Sequence, residues 1–212
     1  GGSVRITPQG LERLLRYARG NVESVRPKIR ARDAYQRAGK EEKTMIPMCE
    51  AMLREIQREA ATTRRVLERV PENKLEWRPH QKSMTLGQLA LHIATVPGDV
   101  AKISQADEFD ASQANFGAGK PNNLGEIFAA HDESVRAAED CLKALTAERA
   151  AGTWTLKMGT KDVLSMPRAE LIRSVMLNHW YHHRGQLSVY LRLLDVPLPS
   201  IYGPSADESP FG

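Results

Sequence analysis

Cysteine is nearly absent: Cys49 and Cys141 are the only two in 212 residues. That excludes a disulfide framework, and a reducing cytoplasm is the expected setting. Long apolar stretches are missing too. None approaches the roughly 18–20 residues that span a bilayer, so no membrane partner is expected. The opening residues lack the charged, apolar and small-residue order of a secretory signal. Several catalytic signatures are also absent. There is no Gly-x-Ser-x-Gly, no P-loop and no Gly-x-Gly-x-x-Gly, and no His-Glu-x-x-His that would set a general base beside a zinc pair. Apolar content of 41% and charged content of 26% are ordinary for a globular chain.

Positive charge has an uneven distribution. The pI is about 9.1, which invites a nucleic-acid reading. Residues 1–44 hold eleven Lys/Arg against five Asp/Glu, while the rest holds nineteen against twenty-one. A phosphate-binding surface needs a basic face on the folded body. No such face exists beyond Met45, so no nucleic-acid partner is expected. The basic leader has two open readings. It is a helical arm, or it is an extension upstream of a start at Met45. The second rests on Lys40-Glu41-Glu42, which a ribosome-binding sequence can encode.

From Met45 the hydrophobic spacing predicts four helices. The first covers about Pro47 to Val70, with Met52, Ile56, Ala60, Thr63, Leu67 and Val70 facing inward. The second opens at a Thr85-x-x-Gln88 capping box, and Pro97-Gly98 is expected to kink or stop it. Residues 108–122 read as loop. The third begins at Asn123 and turns Leu124, Ile127, Phe128, His131, Val135, Ala138, Cys141, Leu142 and Leu145 inward. Trp154 to Met158 followed by Gly159 fits a short hairpin. The fourth runs from near Pro167 to about Leu194. The fold class expected is therefore all-α: a four-helix bundle over residues 45–200 with long second and third connections. Residues 1–44 form an N-terminal appendage and 201–212 a tail.

The fourth helix carries the residues most suggestive of chemistry. His179 and His183 stand four apart on its apolar stripe, so their imidazoles stack one turn apart on one face. His92 lies on the inner stripe of the second helix, between Leu89 and Val96. Neutral imidazoles from two helices are what a divalent ion takes when coordination positions stay open for water or substrate. His182 falls about 100° around the helix from His183 and is expected to face a neighbouring helix or a subunit interface. His131 reads as a hydrogen-bonded inner-face residue, with a fourth-ligand or supporting role as the alternative, and His80 reads as structural. Gln186 and Tyr190 follow His183 on the same stripe. They either contact a substrate or pack with satisfied polar tips. Both cysteines lie on inner faces and read as inert apolar side chains.

Three segments of the chain resemble the DinB-like family of metal-binding four-helix bundles: Leu86-Gly87-Gln88-Leu89-Ala90-Leu91-His92-Ile93, His179-x-x-x-His183-Arg184-Gly185-Gln186-Leu187, and Pro197-Leu198-Pro199-Ser200-Ile201-Tyr202-Gly203-Pro204-Ser205. The resemblance covers residues 45–208. It implies zinc or nickel held by His92, His179 and His183, and a homodimer. Relatives of this kind include thiol-dependent S-transferases and a thiol-dependent isomerase. By that analogy the expected function is a metal-dependent enzyme. It would activate a low-molecular-weight thiol or water against a small electrophilic substrate. The alternative is a non-catalytic metal- or ligand-binding bundle.

Overall fold

Helix α1, Pro47–Leu67, starts with a proline at its first turn, where the missing N–H costs nothing. Its buried stripe is Cys49, Met52, Ile56, Glu59, Thr63, Val66 and Leu67. It ends at Leu67 rather than at the expected Val70, although Val70 still joins the core. The computed structural model describes residues 45–112, 114 and 119–211. The leader and appendage expected over residues 1–44 lie outside them.

Helix α2, Leu86–Ile103, has the complete capping box that its sequence predicts. Thr85 Oγ1 accepts from Gln88 N at 3.1 Å, and Gln88 Oε1 accepts from Thr85 N at 3.0 Å. Helix α3, Leu124–Ala144, is capped by Asn123 Oδ1, which accepts from Glu126 N at 3.0 Å. A short helix α4, Ala147–Ala151, leads into strands β2, Thr153–Met158, and β3, Lys161–Pro167. They form the expected hairpin, and Gly159 at φ +63° makes the turn that other residues resist. The last long helix, α5, spans residues 168–193 and is not uniform. An α turn at Arg168–Glu170 leads into a π-helical run, Leu171–Asn178, and then into regular α-helix, His179–Leu193.

Two expectations need correction. Residues 108–122 are not all loop, because Glu108–Asp110 forms strand β1, parallel to β2. Parallel pairing joins segments far apart in sequence, and three residues carry no local periodicity to reveal it. The result is a three-stranded sheet, ordered β1-β2-β3, appended to an all-helical core. Of the two outcomes expected at Pro97, the stop does not occur: helix α2 continues to Ile103. Proline strips the helix of one donor and pushes aside the carbonyl of Ile93, four residues back. Tertiary partners bond the polar backbone groups around the proline. The indole Nε1 of Trp180 donates to Ile93 O at 2.9 Å. The Gly98 N–H donates to Ser134 Oγ at 2.7 Å, and that hydroxyl donates to Thr95 O at 3.0 Å. A β-carbon at Gly98 would stand 2.8 Å from Ser134 Cα, so the close approach of α2 and α3 requires glycine there.

Buried arginine ties the far end of the bundle together. Arg168, 2% exposed, donates to Ser104 O at 2.6 Å, Arg149 O at 2.7 Å and Ala106 O at 3.0 Å. It therefore satisfies carbonyls at the C-terminal ends of α2 and α4, where helix dipoles favour a cation. Trp154 pins the sheet to the same end, its Nε1 donating to Ile103 O at 3.1 Å. No helix among the described residues is long and apolar enough to cross a membrane.

Candidate metal centre

The Trp180–Ile93 bond sets the register between α2 and α5, and the site follows from it. Ile93 is the neighbour of His92, and Trp180 is the neighbour of His179. Pinning one carbonyl to one indole therefore brings the two histidines face to face across the helix pair. Replacing Trp180 with phenylalanine should leave Ile93 O buried and unpaired, at a cost of about 1–3 kcal/mol. Adding Pro97→Ala restores an N–H for that carbonyl within α2. Denaturation of both single variants and the double should show coupling, and strict additivity would refute the pin.

The three Nε2 atoms converge. His92 Nε2 lies 3.1 Å from His179 Nε2, which lies 3.1 Å from His183 Nε2. All three donors stand within 4.8 Å of one another. The rings cross at 78–83°, so each lone pair approaches from its own direction. Nitrogens bound to one zinc at 2.0–2.1 Å in tetrahedral array sit about 3.3 Å apart. Two of the three separations are close to that value and the third lies within 4.8 Å, so the set is able to coordinate a divalent ion. Burial depresses the basicity of all three rings. His179 is brought to about 3, by desolvation first and then by the neighbouring imidazoles. His183 falls to about 4, mainly by desolvation, and His92 is lowered for the same reason against the opposing pull of Asp99. Neutral imidazoles are the form that binds metal. His183 is buried while His92 and His179 are half-buried, so the cluster is not fully sealed from solvent.

The remaining candidates separate from this cluster. His182 is exposed, its ring 5.0 Å from that of His183, and it lies outside the converging set. His131 is buried on α3 as expected, but it is not fully satisfied. Its Nδ1 faces Asp132 Oδ1 at 3.4 Å, and its Nε2 has no hydrogen-bond partner. His80 is exposed and accepts from Lys82 N. Gln186 is exposed, and its Oε1 lies 2.7 Å from His183 Nδ1. Tyr190 is half-buried, edge-on to Trp77 at 5.8 Å, and its hydroxyl donates to Met84 O at 3.4 Å. Two shallow surface grooves, both beside Glu55 on α1, include none of the three clustered histidines.

Sequence reasoning missed the polar network behind the cluster. Arg184 is 1% exposed. It donates to Glu59 Oε2 at 2.6 Å, to Tyr202 Oη at 2.6 Å and to Thr63 Oγ1 at 3.0 Å. Tyr202 Oη in turn donates to Glu59 Oε2 at 3.0 Å. Tyr181 donates to Glu55 Oε1 at 2.8 Å, and burial pushes its phenol well above the usual range. These bonds fix α5 and the C-terminal tail against α1. An available signal was Glu59, a carboxylate on the otherwise apolar stripe of α1, which requires a buried cation.

The comparisons agree with this architecture. The DinB family profile matches residues 42–210. The uncharacterized protein YrdA of Bacillus subtilis (strain 168) is 24% identical over 150 residues, covering 71% of this chain and 85% of that protein. A DinB-like protein from Bacillus cereus ATCC 10987 superposes with a TM-score of 0.56 at 21% identity, over 72% of this chain and 97% of that one. The DinB-like protein YjoA of Bacillus subtilis gives 0.54 at 19%, over 70% and 96%. Structural likeness at such identity speaks for the fold alone. The profile match covers most of the chain, and the protein belongs to the DinB family, with a histidine cluster able to coordinate a metal ion.

Proposed function

We propose that this protein is a metal-dependent enzyme in which His92, His179 and His183 hold zinc or nickel, and in which a low-molecular-weight thiol or water attacks a small electrophilic substrate. The observation that carries the reading is the 3.1 Å spacing of Nε2 atoms from two helices, with His92 and His179 still half open. A bound divalent ion supplies Lewis acidity, which favours the anionic form of a thiol or water near neutral pH. The chain's own contribution is positional. The rings present neutral lone pairs, held by the Trp180 pin and the Arg184 network. Tyr190, Trp77 and Met84 form a half-buried patch two turns along α5 from His183, suited to the apolar part of a substrate. The Gln186 amide, one turn from His183, keeps its amino group for a polar contact.

No carboxylate belongs to the cluster among the described residues. Glu55 and Glu59 are engaged by Tyr181 and Arg184. This favours thiol transfer over hydrolysis, because a thiolate needs no general base. The same observation supports the competing reading, a non-catalytic metal- or ligand-binding bundle. A homodimer in the cytoplasm completes the proposal, supported by the family resemblance and by two unpaired thiols.

The test is a screen of small thiols against electrophiles, with metal-loaded and chelator-stripped protein side by side. The enzyme reading expects turnover that depends on the ion. Tight metal binding with no turnover above the stripped control would leave the binding bundle.

A further inference from the structure

The three clustered histidines are not equivalent. Each neutral imidazole has one N–H and one lone pair, and only a free Nε2 lone pair can face the centre of the cluster. The far nitrogen of His183, Nδ1, lies 2.7 Å from Gln186 Oε1. Among the described residues, no hydrogen bond reaches Nδ1 of His92 or of His179. The Gln186 amide sits three residues beyond His183 on α5, so the helix itself holds the acceptor in place.

We infer that Gln186 is a positioning residue: its carbonyl accepts the Nδ1 proton of His183, fixes that tautomer, and aims the Nε2 lone pair into the cluster. The inference rests on the metal reading for its consequence but not for its geometry. Histidine ligands commonly donate their second N–H to a carbonyl or carboxylate, which orients the ring and strengthens it as a donor. Here one ring has that support built into the chain. His183 is thus the donor whose far nitrogen is held from within the chain, while the far nitrogens of His92 and His179 have no such support among the described residues. The orientation of the amide is decisive. Were its NH2 group toward Nδ1 instead, the proton of His183 would sit on Nε2 and point at the cluster, and the ring would have to shift that proton before it could take a cation.

Two variants separate these cases. Gln186→Glu keeps an acceptor and discards the donor. Gln186→Leu removes both and keeps the side chain's bulk. Zinc affinity is measured by competition with a chromophoric chelator. Histidine tautomers are read in the metal-free protein by long-range proton–nitrogen NMR. The expected result is a 10–100-fold weaker affinity in Gln186→Leu. Gln186→Glu should bind at least as tightly as wild type. His183 should be the Nδ1–H tautomer in wild type and mixed in Gln186→Leu. An Nε2–H tautomer in wild type, loss of binding in Gln186→Glu, or undiminished affinity in Gln186→Leu would each overturn the inference. If wild type takes up no zinc, the metal reading fails and the tautomers alone decide the role of Gln186.

Discussion

Replacing His183 with alanine should reduce divalent-ion binding from stoichiometric to trace while the helical signal stays intact. His183 is the buried member of the cluster and the one whose far nitrogen is held by Gln186. Loss of an outer hydrogen bond alone typically costs 10–100-fold in affinity, so loss of the ligand should cost more than about 100-fold. The fold should survive, because the pieces that hold α5 in place are Trp180 and Arg184 on its other faces. Elemental analysis of protein purified without a histidine tag, with circular dichroism alongside, checks both halves. Full occupancy in His183→Ala would refute the ligand assignment. His182→Ala is the matched control and should retain its ion, since His182 is exposed and outside the cluster.

The largest effect on stability is expected at Glu59. Glu59→Ala leaves the guanidinium of Arg184, 2% exposed at the side chain, without its counter-charge. Breaking a buried pair from one side typically costs about 3–5 kcal/mol, which for a chain of this size lowers Tm by roughly 10 °C. Tyr202 is affected as well, because its hydroxyl bridges the two charged groups. The C-terminal tail should therefore become more open to proteolysis. Glu59→Gln, which keeps an acceptor, should lose less. Glu59→Leu combined with Arg184→Met should recover most of the loss, since a well-packed apolar pair costs no desolvation. Chemical denaturation measures all three. A loss under about 1 kcal/mol in Glu59→Ala would mean that the pair behaves as if it were exposed.

Much of the fold was legible because it is local. The capping box at Thr85, the N-cap at Asn123 and the apolar stripes of α1 and α3 are written in spacings of three and four residues. The Gly159 turn is likewise a property of a few neighbouring residues. The sheet partner β1 and the continuity of α2 through Pro97 were not legible. Both depend on groups far away in the chain, Thr155 to Lys157 in one case and Trp180 and Ser134 in the other. The π-helical run had no sequence signal either.

By itself the sequence determined the helices, the family likeness and the histidines that share a face. Covalent spacing on a regular helix fixes His179 and His183 together before any packing occurs. Only the tertiary structure decided that His92 meets them and that His131 does not. Those outcomes depend on the register between helices. That register is set by a carbonyl freed at Pro97 and by a charge buried at Arg184, and each found its partner only when separate segments packed together.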